Sequence, residues 1–209
     1  MGTQTSSQTI VFWLMTASSV VVAVGPYRFL FLGIDGAFRE SLGATAVEPQ
    51  LYLAAHVIAA PVALLLGGFQ FLSSIRARYP QVHRWVGRTY AVAVLVGGVS
   101  ALLMAIDEWH RLASALGFGA LAMLWLWCTA QGVRHAWAQN YEQHRRMMIR
   151  SFALTFAAVT LRLQLPFLLA DGSTYVEASR IVSWSCWIPN ILFAEWWLRR
   201  KSARPSPRF

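Results

Sequence analysis

Apolar runs of membrane length recur along this chain, and no ordinary soluble fold accommodates them. Residues 51–73 and 112–133 contain no Asp, Glu, Lys or Arg at all. A helix needs roughly 20 apolar residues to cross about 30 Å of hydrocarbon. Lipid offers the backbone no hydrogen bonds, so a spanning segment of this kind must be helical. Composition agrees, with 56% hydrophobic and only 13% charged residues in 209. Ten tryptophans suit a chain with many membrane–water boundaries, where amphipathic rings collect.

Six segments follow from the pattern. Segment one covers about 10–32, with Pro26 expected to kink it near Arg28. Residues 33–50 form the longest connection, carrying Asp35, Arg39, Glu40 and Glu48. Segments two, three and four cover about 51–73, 83–105 and 112–133. Segments five and six cover about 144–170 and 179–198. The basic stretch 199–209 holds two prolines and reads as a disordered tail. The first segment reads as retained, because no basic stretch precedes it and no small-residue cleavage site follows. The expectation is an all-α integral membrane bundle of six helices in one domain, residues 1–198, with helices two to five as its core.

Charge orients the bundle. The ends and loops on the N-terminal side hold Arg76, Arg78, Arg84, Arg88, Arg134, Arg145, Arg146, Arg150, Arg199, Arg200, Lys201, Arg204 and Arg208. These are most of the 18 basic residues, and basic loops stay inside. Both termini are therefore expected in the cytoplasm of a bacterium, with the chain in its inner membrane. The net charge of +9 follows topology and forms no soluble basic face, so nucleic acid is not expected as a partner. Cys128 and Cys186 lie inside apolar segments and suggest neither a disulfide framework nor a zinc site.

Two phrases stand out. Gln81-Val82-His83-Arg84-Trp85-Val86-Gly87-Arg88-Thr89-Tyr90-Ala91 and Gln143-His144-Arg145-Arg146-Met147-Met148-Ile149-Arg150-Ser151-Phe152-Ala153 both place His-Arg, a spacer, Arg, a hydroxyl, an aromatic and Ala at a helix entrance. They begin segments three and five, which run parallel in this topology and suggest a weak internal repeat. His56 and His110 lie near the outer ends of segments two and four, and His135 sits in a cytoplasmic loop. Imidazoles from facing helices can ligate haem iron axially. Pairing His83 with His144, and His56 with His110, would give one haem b per leaflet and a path for electrons. Arg84, Arg88, Arg145, Arg146 and Arg150 would offer cations to the inner propionates, and Arg28 and Arg162 to the outer. Topology and histidine placement resemble the two-haem transmembrane cytochromes b of the ascorbate-reducible type. That resemblance implies six helices with ligands on helices two to five.

Other readings stand beside this one. Basic side chains and an imidazole at a helix entrance also serve membrane anchoring. The same Arg-His clusters suit a non-redox protein: a small transporter, or an accessory or assembly subunit. Its partners would be lipid, membrane proteins, or a quinone-like or anionic small molecule. Arg162, deep in segment five, is expected to face the bundle and meet an acid or an anionic ligand. Glu195 is expected beside Arg199 at i+4. No phosphate loop, H-E-x-x-H or serine-nucleophile motif is present, so enzymatic activity is left open.

A further resemblance rests on Gly68-Phe69-Gln70-Phe71, on the phrase from Pro80 to Tyr90, on His144 to Arg162, and on Ile188-Pro189-Asn190-Ile191-Leu192-Phe193-Ala194-Glu195-Trp196. These look like a bacterial family of predicted membrane proteins, domain of unknown function 2306. The resemblance covers segments two to six and implies an inner-membrane location but no activity. It marks His56, Gln70, His83, Arg84, Gly87, Arg88, Tyr90, His144, Arg145, Arg150 and Arg162. His110 is not among the marked positions.

Overall fold

A computed structural model of the chain describes residues 6–24, 50–70 and 73–202. Pro26, Arg28, the acids of the long connection and residues 203–209 lie outside the described residues. All regular structure among the described residues is helical: α1 (Ser6–Val24), α2 (Gln50–Phe69), α3 (Ser73–Arg78), α4 (Pro80–Asp107), α5 (Leu112–Trp137), α6 (Tyr141–Thr155), α7 (Ala157–Ala170), α8 (Tyr175–Ser185) and α9 (Ile188–Ser202). A 3-10 turn, Trp109–Arg111, precedes α5.

Four stretches among these are long and apolar enough to cross a bilayer: 51–69, 80–107, 109–137 and 141–170. Segments two to five are thus membrane spans by length and composition. Segment six is not one helix but two, α8 and α9, of 11 and 15 residues. The apolar part of α1 described as such, Leu14–Val24, is short.

The chain divides into two compact units, residues 1–107 and 108–209. In the first, α2 and α4 form a long hairpin joined through the short basic helix α3, and α1 packs on α2. The contact faces are stripes at helical spacing. Thr16, Ser19 and Ala23 are buried on α1, Ala59 and Ala63 on α2, and Tyr90, Val94, Gly97 and Gly98 on α4. Small residues let the backbones approach where no water drives helices together. Pro80 opens α4 at a position whose missing N–H costs nothing. The helix therefore begins three residues before His83.

In the second unit α5 packs along α6 and against α8, while α8 also packs on α7 and α9 on α6. The buried stripe of α5 is again small: Ser114, Gly117, Ala122, Cys128, Thr129 and Gly132. At Gly117 an added Cβ would lie 2.6 Å from the Ser183 Oγ and 2.8 Å from its carbonyl oxygen, so only glycine permits the α5–α8 approach. Asn140 caps α6 by accepting from the Gln143 amide at 3.2 Å. Gly172, at φ +86°, turns the chain between α7 and α8. Thr174 and Glu177 then form a reciprocal capping box on α8. The Thr174 hydroxyl and amide both donate to the Glu177 carboxylate and hold it below the usual carboxylate range.

Two helical paths of this unit are divided. Phe156 divides α6 from α7, yet its N–H donates to the Phe152 carbonyl at 2.8 Å and its carbonyl accepts from the Thr160 amide at 3.2 Å, so the helical ladder continues past it. Segment six breaks at Cys186–Trp187, just before Pro189. Proline cannot supply the N–H that the carbonyl four residues earlier would accept. Here that carbonyl belongs to Ser185, and the Gln164 side-chain amide donates to it instead at 3.3 Å. Ser185 returns the bond from its hydroxyl to Gln164 Oε1 at 2.7 Å. Asn190 Nδ2 donates to the Cys186 carbonyl and to Thr160 Oγ1, each at 3.0 Å. The helix runs through Pro166 and is not shortened by it.

Candidate functional site

The two histidine phrases sit one turn inside their helices. His83 is the fourth residue of α4, and His144 the fourth of α6. Both are half-buried. The His83 amide donates to the Tyr79 carbonyl at 3.1 Å, and its own carbonyl accepts from Gln70 Nε2 at 3.3 Å. Gln70, at the end of α2, thereby ties the hairpin at this level, and its amide lies 3.8 Å from where a Gly87 Cβ would sit. Tyr90, two turns on from His83, is fully buried.

His144 does more than occupy an entrance. Its Nδ1 lies 2.8 Å from the Gly132 carbonyl oxygen, so it bridges α6 to α5. His56 repeats this in the other unit: its Nδ1 lies 2.9 Å from the Gly97 carbonyl oxygen and bridges α2 to α4. A carbonyl oxygen only accepts, so in both rings Nδ1 carries the proton. The neutral ring then has its lone pair at Nε2. His110 is different. It lies exposed in the 3-10 turn, next to the Arg111–Glu108 ion pair at 3.2 Å. His83 and His144 belong to different units, as do His56 and His110. Among the described residues no three His, Cys, Asp or Glu side chains converge.

The arginines separate into three kinds. Arg84, Arg88 and Arg145 are exposed. Arg84 donates from Nε to the Pro80 carbonyl at 3.3 Å, and the Arg88 guanidinium lies 5.1 Å from the Trp85 ring centre. Arg150 is committed internally: Nε and Nη2 fork onto both oxygens of Glu195, the second at 3.0 Å. Its side chain keeps 18% exposure and that of Glu195 31%. This corrects the expectation that Glu195 pairs with Arg199. The pair joins α6 to α9 over the apolar cluster of Ile149, Ala194 and Leu198. Pairing offsets part of the cost of holding Arg150 within the 141–170 span.

Arg162 forms the third kind. It does not meet an acid among the described residues. It is exposed, and its Nη1 donates to the Ala158 carbonyl of its own helix at 3.1 Å.

Sequence reasoning passed over the hydroxyl ladder between α5 and α6. Trp125 Nε1 donates to Thr155 Oγ1 at 2.8 Å, and Thr129 and Ser151 share a bond at 2.6 Å. A signal existed, since Trp125 and Thr129, and Ser151 and Thr155, are each spaced i, i+4 on one helix face. Thr160 and Gln164 carry the same i, i+4 mark, whereas Ser185 and Asn190 do not.

Fold and site together define a multi-pass, all-helical membrane protein whose long hairpins are bridged by polar side chains. Residues 53–198, well over half of the chain, match the family described as Predicted membrane protein (DUF2306), and the chain belongs to that family. No curated protein and no solved structure matches it.

Proposed function

We propose that this protein is a b-type haem redox protein of the bacterial inner membrane, crossing it six times with both termini in the cytoplasm. One observation carries the reading: the tautomer imposed on His144 by the Gly132 carbonyl at 2.8 Å. Histidines that ligate a metal through Nε2 commonly donate Nδ1–H to a backbone carbonyl, which orients the ring and raises its basicity. His144 has that arrangement, and His56 has it with Gly97. His144 and His56 fit the group by this criterion.

His144 would be an axial ligand of an inner haem, and Arg145 beside it would supply a cation for a propionate. Arg150 is occupied by Glu195 and is left out of that set. When bound, the group supplies one-electron transfer. The chain's own part is to fix the imidazole tautomer, to keep the ring a turn inside the helix, and to hold Arg-rich ends at the cytoplasmic surface. The exposed arginines at both helix starts support the orientation.

The test is an optical spectrum of the detergent-solubilised protein, oxidised and dithionite-reduced, from cells supplied with haem. A Soret band with sharp reduced α and β bands is expected, and His144→Ala should abolish it. A featureless visible region would overturn the reading. The second reading is then a non-redox accessory protein that binds anionic lipid through its basic ends. The Arg88–Trp85 stack and the exposed Arg84 favour it, because such pairs sit well at the headgroup level.

A further inference from the structure

Segments five and six run past each other in opposite directions, and their side-chain bonds mark the register. Gln164 meets Ser185, Thr160 meets Asn190, and Arg150 meets Glu195, so the partner numbers rise as those of segment five fall. One turn beyond the ion pair, toward the start of α6, this register sets Arg146 opposite Arg199. Both guanidiniums act electrostatically on the Glu195 carboxylate, which agrees with that placement. The inner rung joins opposite charges, and the rung outside it brings like charges together.

Arg200 extends this patch. It is exposed, as Arg199 is, and its guanidinium lies 4.2 Å from the centre of the Trp196 ring. Trp196 in turn meets Phe193, with ring centres 5.5 Å apart. Leu192, Trp196, Arg199 and Arg200 follow one another at i, i+4, i+7 and i+8, so they share one side of α9. Leu192, Phe193 and Trp196 are 61%, 59% and 47% exposed. That side is apolar along its middle and cationic at its end. Once Arg150 and Glu195 have cancelled, Arg145, Arg146, Arg199 and Arg200 still outnumber Glu142 at this end of α6 and α9.

The 141–170 span has 30 residues, about 45 Å of helix, which matches the hydrocarbon core together with both headgroup layers. Its first turns therefore belong among headgroups, and the antiparallel register brings Arg199 there with Arg146. We propose that this end of α6 and α9 binds an anionic phospholipid, whose phosphate lies between Arg146 and Arg199 with Arg200 at its rim, and whose acyl chain runs along Leu192, Phe193 and Trp196. A phosphate turns the repulsive rung into a paired one, and guanidinium takes phosphate oxygens bidentately. Basic clusters at helix ends recognise anionic headgroups in this way. A soluble phosphate would leave the apolar side of α9 unused, so charge and hydrophobicity together favour the lipid. The site lies within the second unit and uses neither His144 nor Arg145. It also stands apart from Arg84 and Arg88, so it holds whether or not haem is bound.

The experiment is native mass spectrometry of the full chain in a neutral detergent, titrated with phosphatidylglycerol or with phosphatidylcholine. The first phosphatidylglycerol is expected to bind about tenfold or more tighter than phosphatidylcholine. Arg199→Gln with Arg200→Gln should remove most of that preference, whereas Arg199→Lys with Arg200→Lys, which keeps the charge, should hold it within about threefold. Arg76→Gln with Arg78→Gln takes the same charge from exposed positions on α3 and should leave the preference within about twofold. Equal binding of the two lipids would overturn the proposal. Equal losses from the α3 and α9 pairs would also overturn it, by showing a diffuse effect of net charge. Displacement of the bound lipid by an equal concentration of glycerol 3-phosphate would assign the site to a soluble phosphate and overturn the lipid assignment. The optical spectrum is read separately, so each reading can fail alone.

Discussion

The two units solve the same packing problem differently. The hairpin of α2 and α4 has no break between its ends, even at Pro61, and it is closed by small residues, one histidine bridge and one glutamine. The second unit packs small residues just as closely, yet it interrupts segment six before Pro189 and ties the interruption with side chains. In lipid a freed carbonyl has no water to turn to, so every interruption demands a donor from a neighbour. The difference teaches that the polar residues of segments five and six are not decoration on a bundle. They are the condition for its broken backbone.

The sharpest contrast is at glycine. Gly117→Ala should cost about 2–3 kcal/mol, because the new methyl meets the Ser183 backbone and neither helix can yield easily. Gly87→Ala in the first unit should be neutral or slightly stabilising, since its methyl would meet only the Gln70 amide at ordinary contact distance and alanine favours helix. Thermal unfolding of both variants in detergent checks this. Equal effects would remove the distinction between the units.

Next comes the ion pair. Arg150→Ala or Glu195→Ala alone leaves one charge near the membrane interior, a loss of 3–5 kcal/mol when fully buried. Partial exposure of 18% and 31% reduces the expected loss to about 2 kcal/mol. The double change Arg150→Met with Glu195→Leu should recover most of it. A double-mutant cycle on unfolding free energy is the measurement, and additive losses would show that the pair is not coupled.

The smallest effect is the most specific. Gln164→Leu removes the donor to the Ser185 carbonyl and should cost about 1 kcal/mol. Pro189→Ala restores a backbone N–H at the position that carbonyl expects. In the Pro189→Ala background, Gln164→Leu should therefore cost little. If its cost is unchanged there, the glutamine is not standing in for the missing N–H.

Hydrophobic pattern made most of the helices legible. Segments two to five appear within a few residues of their expected ends, because runs without charge leave a membrane chain few alternatives. The starts were shifted: Pro80 and Tyr141 open the helices, which puts His83 and His144 a turn inside. Phe156 carried no breaker signal, since neither proline nor glycine stands there. Pro189 did carry one, but its rescue by Gln164 lies 25 residues away and periodicity cannot reach it. Glu195 misled for the same reason. Arg199 is its neighbour in sequence, and Arg150 is its partner in space. The histidines were legible as polar residues in apolar surroundings, whereas their glycine-carbonyl partners became visible only with the helices packed.

The Arg150–Glu195 pair also has a consequence for biogenesis. The two residues are 45 positions apart, so the ribosome releases the arginine well before the carboxylate that neutralises it. A helix carrying an unmatched guanidinium is a poor candidate to leave the translocon alone. The 141–170 span and α9 are therefore best brought together early, so that Arg150 meets its carboxylate as the two assemble.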